Sequence, residues 1–498
     1  FVNDGRDADR KVRVWRLLVA AGVLFFAAAT HASTTLSLAD CRLQSGGAGA
    51  SVAARCGTFA VPEDPTAPGG RTIGLKVAVV PALKTRAEPD PLFVISGGPG
   101  QAASDFYVTM AQVFARIRRD RDIVIVDQRG TGGSNRLSCP LPNDVELTVI
   151  DAERVGELAK RCLEELPGDP RFYTTSIAVA DLDRVRAALG YERINLYGIS
   201  YGTRVAQHYA RRHPERVRAM ILDGVVPPQL ALGPQIPVVA QQALDALFDR
   251  CAADAACRQV FPNVREQFAR LHARLRESPL EVPIADPINA APIVVRLGLA
   301  ELNGAVRLLS YSDETAATLP LLIHQAEAGK RPQALAAQYE MIRRDMQAQL
   351  AYGMHFSVIC SEDAPRWSGR EVERETLEAT YMGSDFMTVL SAVCAVWPRG
   401  PVDADFYEPL RSDAPTLLLS GENDPVTPPA YAEEIRPGLA NSLHLVLRGQ
   451  GHGQLAAGCV PRLIAELVAS GSLRELDAEC AAKVTPAPFL LSLTGAAP

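Results

Sequence analysis

Four short, mainly apolar runs constrain this chain most: residues 92–96, 123–126, 194–197 and 219–223. None shows the strict polar–apolar alternation of a strand with one wet face. A strand that is apolar on both faces belongs inside a sheet covered on both sides. Helical spacing over residues 179–189 and 201–212 falls between these runs, so the pattern predicts an α/β fold with a mostly parallel sheet flanked by helices. A further strand is expected at 73–80. From Pro227 to about Ser412 the rhythm changes to helices, expected at 240–253, 264–276, 297–309, 316–328 and 332–351. The strand rhythm returns at 416–420 and 444–447. The simplest organisation is one sheet domain in two parts (33–226 and 413–498), interrupted by a mainly helical cap (227–412). With 47% hydrophobic and 22% charged residues, the chain can bury a sizeable core and is not a disordered polymer.

The third run leads directly into chemistry. Gly198-Ile199-Ser200-Tyr201-Gly202 is the one GxSxG in the chain, and it joins a predicted strand to a predicted helix. This is the context of a nucleophile elbow, where a serine is held on a strained turn. A serine hydroxyl needs a base, and the base needs an orienting carboxylate. The elbow architecture supplies them in the chain order serine, acid, histidine. Of the eight histidines, only His444 and His452 follow the returning strands. His444 lies within a strand; His452 lies in a glycine-rich loop that can present an imidazole, so His452 is the candidate base. The loop after residues 416–420 offers Glu422 and Asp424. Asp424 is the candidate acid, placed beyond the strand end, with Glu422 the alternative. Gly97-Gly98-Pro99-Gly100 follows the first run, where backbone N–H groups can approach an oxyanion with no Cβ in the way. The expected oxyanion hole is Gly98 N–H with Tyr201 N–H; Gly97 could equally supply the first amide.

The first 32 residues read as a signal peptide. Arg10, Lys11, Arg13 and Arg16 precede a 13-residue apolar run, and Thr30-His31-Ala32 offers small residues for cleavage. Thirteen helical residues reach about 20 Å, short of the ~30 Å hydrocarbon core, so a spanning anchor is not expected. Export into an oxidising compartment, periplasmic or extracellular, suits the ten cysteines, which fall into five neighbouring pairs: 41–56, 139–162, 251–257, 360–394 and 459–480. Local pairing is the working hypothesis, although spacing alone does not establish connectivity. Lys and Arg total 51 against 57 Asp and Glu, a net charge of -6, which disfavours a nucleic-acid partner. No HExxH and no strand-linked GxGxxG occurs, so no metal or other cofactor is called for.

At these residues the chain resembles the α/β-hydrolase superfamily. More narrowly, it resembles the proline iminopeptidase and tripeptidyl aminopeptidase group of serine exopeptidases. The narrower likeness rests on Ser96-Gly97-Gly98-Pro99-Gly100, Asp127-Gln128-Arg129-Gly130-Thr131-Gly132-Gly133-Ser134, Gly198-Ile199-Ser200-Tyr201-Gly202-Thr203-Arg204 and Gly421-Glu422-Asn423-Asp424-Pro425-Val426-Thr427-Pro428. The stretch Ser357-Val358-Ile359-Cys360-Ser361-Glu362-Asp363 and the long insertion point to the secreted tripeptidyl branch. Ser96 stands where proline iminopeptidases usually carry histidine. The resemblance implies a serine hydrolase with an α/β-hydrolase fold. It implies hydrolysis of peptides from a free N-terminus, releasing single residues such as proline, or tripeptides. It also implies acidic residues beneath the cap that bind the substrate ammonium, with Glu362 the candidate and Asp363 the alternative. A secreted carboxylesterase or lipase with the same triad is the competing expectation.

Overall fold

The computed structural model describes residues 36–45, 50–139, 151–368 and 372–493. The expected signal peptide lies outside them. Eleven strands occur among the described residues: β1 Ala39–Gln44, β2 Ser51–Pro62, β3 Thr72–Val80, β4 Leu92–Ile95, β5 Ile123–Val126, β6 Ile194–Ile199, β7 Val217–Asp223, β8 Leu280–Ala285, β9 Pro292–Leu297, β10 Thr416–Gly421 and β11 Ser442–Leu447. Nine form one sheet in the order β1-β2-β3-β5-β4-β6-β7-β10-β11. From β5 to β11 every neighbouring pair is parallel, while β1, β2, β3 and β5 pair antiparallel.

Strand β5 shows why the central runs had to be apolar throughout. Ile123 and Ile125 pack on one face with Tyr197, Ile221, Leu419, Phe106 and Leu463. Val124 and Val126 pack on the other with Leu196, Leu222, Leu418, Val205 and Tyr209. Helices Ala103–Met110 and Val460–Ser470 supply the first layer and Tyr201–Arg212 the second. Each fully buried Ile, Leu or Val contributes about 1.5–3 kcal/mol of hydrophobic stabilisation. A polar residue on either face of β5 would therefore be costly.

Between β7 and β10 the chain runs mainly through helices, including Ile236–Ala253, Val264–Glu277, Leu299–Leu309, Leu319–Glu327, Gln333–Gln349 and Asp385–Val396. Leu244, Phe248, Leu271, Leu302, Leu319 and Ile323 form a separate core there. Two features differ from the sequence pattern. β8 and β9 form an antiparallel hairpin in a mainly helical region, between the helices expected at 264–276 and 297–309, turning at Asp286, whose carboxylate accepts the Ile288 N–H at 2.8 Å. The C-terminal tail also crosses to the insertion: Phe489 joins its core beneath the Arg250 guanidinium, 4.2 Å from the ring centre. All five cysteine pairs are bridged between sequence neighbours as expected, and no free cysteine remains among the described residues. No helix among the described residues is long and apolar enough to cross a membrane.

Candidate active site

The candidate residues gather at the carboxyl ends of the parallel strands, the edge where open α/β sheets place ligands. Ser200 follows β6 and starts the helix Tyr201–Arg212 with φ 55° and ψ -126°. That left-handed backbone costs a non-glycine residue about 1–3 kcal/mol and persists only where its surroundings enforce it. Here they do. The Ser200 N–H donates to Asp223 O at 2.8 Å, and the Ser200 carbonyl accepts both the N–H and the hydroxyl of Thr203, at 2.9 and 2.6 Å. A Cβ on Gly202 would stand 2.5 Å from Ile95 O and 2.6 Å from Ser96 O, so the helix can start this close to β4 only with glycine there.

Asp424 follows β10 and is buried. One carboxylate oxygen accepts the N–H groups of Val426 and Thr427, each at 2.8 Å; the other accepts the Thr427 hydroxyl at 2.7 Å and meets His452 Nδ1 at 2.8 Å. With Nδ1–H aimed at Asp424, Nε2 is left as the ring's acceptor. Burial pushes the His452 imidazolium down, but the charge and hydrogen bond of Asp424, with further help from Asp223, outweigh it and raise its pKa above the ordinary value. The loop is held from the insertion side too, because His452 N–H donates to Tyr311 O at 2.6 Å and the Tyr311 ring meets the imidazole edge-on at 5.1 Å. A Cβ on Gly224, the residue after Asp223, would sit 3.0 Å from His452 Cε1. The imidazole therefore lies beside the segment that holds Ser200 N–H. No hydrogen bond between Ser200 Oγ and His452 Nε2 is present among the described residues.

The alternatives from sequence have other work. His444 sits in β11 with its ring nitrogens at 2.6 Å from Glu433 and 3.0 Å from the Ser420 hydroxyl. Glu422 accepts Gly449 N–H at 2.8 Å and braces the loop leading to His452.

The Gly97–Gly100 loop leans on the elbow. A Cβ on Gly97 would lie 3.0 Å from Ser200 Cβ and 3.6 Å from its Oγ, and Gly98 adopts φ +108°. Tyr201 is the first residue of its helix, so its N–H has no intrahelical acceptor. The insertion grips this loop from outside: Ala351 N–H donates to Gly100 O at 2.9 Å, and His355 Nδ1 lies 3.1 Å from Pro99 O.

Glu362, expected at the substrate amine, is fully buried in the segment Ile359–Asp363. One of its oxygens accepts Thr175 N–H at 2.6 Å and the other the Thr175 hydroxyl at 3.0 Å, while that hydroxyl also meets the Tyr201 hydroxyl at 2.5 Å. Burial pushes the Glu362 carboxyl up to about 7, against the opposing pull of Arg204. Asp363 is paired with Arg204 at 3.0 Å. An amine reaching Glu362 would have to compete with Thr175.

The sequence reading missed Thr427, Tyr311, Thr175 and Asp223. Asp223 had a signal, being an acid at the carboxyl end of a parallel strand. The others depend on contacts across the insertion or on a hydroxyl beside the acid. No group of three or more His, Cys, Asp or Glu side chains among the described residues is arranged to hold a metal.

Residues 90–456 match the alpha/beta hydrolase fold family, most of the chain's length and every strand from β4 to β11. The chain belongs to the alpha/beta hydrolase family. Among its relatives in that family is the serine protease Hip1 of Mycobacterium tuberculosis, 26% identical over 472 residues, covering 86% of this chain and 87% of that protein. The tripeptidyl aminopeptidase of Streptomyces coelicolor is 26% identical over 475 residues, covering 87% and 84%. Carboxylesterase B of Mycobacterium tuberculosis is 27% identical over 473 residues, covering 86% of each. The tripeptidyl aminopeptidase part of the resemblance found in the motifs thus has a relative that matches over most of both chains.

Proposed function

We propose that this protein is a serine exopeptidase that hydrolyses peptides from a free N-terminus through an acyl-enzyme. The coarser part of that reading, a serine peptidase of the alpha/beta hydrolase type, rests on the family match and on the relatives named as a serine protease and a tripeptidyl aminopeptidase. The observation that carries the chemistry is the Asp424–His452 pair, 2.8 Å apart, with the imidazole beside the Asp223–Gly224 segment that holds the N–H of Ser200 on its strained strand-to-helix turn.

In the first step the Ser200 hydroxyl passes its proton to His452 Nε2 as Oγ bonds to the scissile carbonyl carbon. Asp424 stabilises the imidazolium, and the N–H groups of Gly98 and Tyr201 receive the oxyanion. The C–N bond then breaks as His452 gives that proton to the leaving amine. Water, deprotonated by the same imidazole, releases the acyl group and restores Ser200. Because the base acts in its neutral form, activity falls on acidification through the His452 pKa. That pKa stands above the ordinary histidine value, so the fall begins at a higher pH than for a free imidazole.

Residues 227–412 are proposed as a cap over this site. The five disulfides favour export to the periplasm or beyond the cell. The test uses paired substrates, a tripeptidyl or aminoacyl arylamide with a free amine and its N-acetylated twin, with labelling of Ser200 by a fluorophosphonate as the check on the nucleophile. The exopeptidase reading requires strong preference for the free amine, and labelling that disappears in Ser200→Ala. The relative named carboxylesterase B supports a second reading. If both arylamides are inert and short acyl esters turn over, the protein is an esterase.

A further inference from the structure

Asp223, the last residue of β7, touches both halves of the proposed machinery. Its main-chain carbonyl accepts the Ser200 N–H at 2.8 Å. Its carboxylate accepts Gln454 N–H, two residues after His452, at 2.7 and 2.9 Å, and the hydroxyl of Tyr197, three residues before Ser200, at 2.8 Å. The Gln454 side chain donates to Gly451 O at 2.7 Å, so the loop carrying His452 is closed on itself at the point where Asp223 grips it. The next residue, Gly224, has φ +66° and donates its N–H to Leu419 O in β10 at 2.9 Å, which ties the same segment to the strand that carries Asp424.

The chemistry of this side chain calls for a reason. Asp223 has 0% exposure, and burying a carboxylate costs several kcal/mol unless it is compensated. The polar groups facing it are Tyr197 from β6, Gln454 N–H and His452 from the loop after β11, and Asp424 from the loop after β10. Of these only His452 can become positively charged. Around His452 itself stand Asp424, Asp223 and, from the insertion, Arg307. A neutral amide could satisfy most of the hydrogen bonds at position 223. A carboxylate adds negative charge beside the one group that must turn cationic during the reaction.

We propose that Asp223 is a positioning residue that holds the nucleophile turn and the histidine loop at a set spacing and supports the imidazolium formed when Ser200 gives up its proton. This rests on the assignment of Ser200 and His452 above. Burial pushes the Asp223 carboxyl up to about 6, so it carries its charge in the neutral range.

The test is the pH dependence of fluorophosphonate inactivation of the full protein, which needs no knowledge of the natural substrate. Asp223→Asn removes the charge but keeps the shape and an acceptor for Gln454. It should react near the parent rate at high pH, with its acid limb moved down by about half a unit, because removing a negative charge makes the imidazolium easier to deprotonate. Asp223→Ala removes the grip as well and should slow inactivation about 10- to 100-fold across the profile, the scale of a small misplacement of reacting groups. An acid limb in Asp223→Asn that superimposes on the parent's overturns the proposal, as does a folded Asp223→Ala that reacts at the parent rate. If Asp223→Ala does not fold, the Asp223→Asn profile decides alone. Failure of the underlying reading looks different: the parent itself would go unlabelled, or Ser200→Ala would still be labelled.

Discussion

Replacing Arg129 by methionine should destabilise the protein severely without touching its proposed chemistry. Arg129 is 1% exposed. Its Nε donates to Asp181 at 2.7 Å, and its Nη groups donate to the carbonyls of Glu63, Phe172 and Pro62 at 2.8, 2.7 and 3.3 Å. One guanidinium thus joins the end of β2, the turn Pro170–Phe172 and the helix Thr175–Ala188, while the neighbouring Gln128 donates to the Tyr201 hydroxyl at 3.1 Å. Breaking a buried pair by removing one partner costs about 3–5 kcal/mol, and three carbonyls, one buried and two part-buried, losing a charged donor add to it. We expect about 5 kcal/mol, against a total stability on the order of 5–15 kcal/mol. The assay is urea unfolding with disulfides intact, followed by both circular dichroism and tryptophan fluorescence, since coincident transitions license a single free energy. Asp181 provides an internal control. Burial already raises its pKa despite Arg129, and without Arg129 it rises further. An acid whose folded pKa exceeds its unfolded value costs stability at neutral pH, and that cost fades as pH falls through the folded pKa. The penalty of Arg129→Met relative to the parent should therefore shrink on acidification, and Arg129→Met with Asp181→Leu should recover most of it at neutral pH. A penalty near 1 kcal/mol, or one independent of pH and of Asp181, would refute the reasoning.

Three further outcomes are expected. Asp424→Asn keeps an acceptor for Val426 and Thr427 but removes the charge facing His452; kcat should fall about 10²- to 10⁴-fold and the acid limb of the pH–rate profile should move to lower pH, whereas an unmoved limb would place the orienting acid elsewhere. Glu362→Gln leaves Thr175 an acceptor but removes the charge proposed to meet the substrate ammonium; preference for free-amine over acetylated arylamides should fall about 10-fold or more at unchanged ester turnover, and a preference that survives would place the ammonium site elsewhere. Denatured, unreduced protein should contain no titratable thiol, and replacing both Cys360 and Cys394, 34 residues apart, should cost about 4 kcal/mol by the chain-entropy argument; reactive thiols would overturn the five-bridge pairing.

The central strands, the elbow and the order of the proposed triad were legible because each depends on local pattern. A run apolar on both faces has nowhere to go but a covered sheet, and GxSxG between strand and helix constrains its own backbone. The strands β1 and β2 at one side of the sheet and the hairpin β8–β9 were not legible, since half-wet strands carry a weak pattern. The same division runs through the site. Sequence alone put Ser200, Asp424 and His452 after three different strands and narrowed the acid to two residues and the base to two. Only the tertiary structure turned His444 toward Glu433, used Glu422 as a loop brace, hydrogen-bonded the buried Glu362 to Thr175, and brought Asp223 against the loop of His452. What a residue can do chemically is written in its side chain. Which groups face it, at what distance and how far from water, depends on segments hundreds of residues apart packing together.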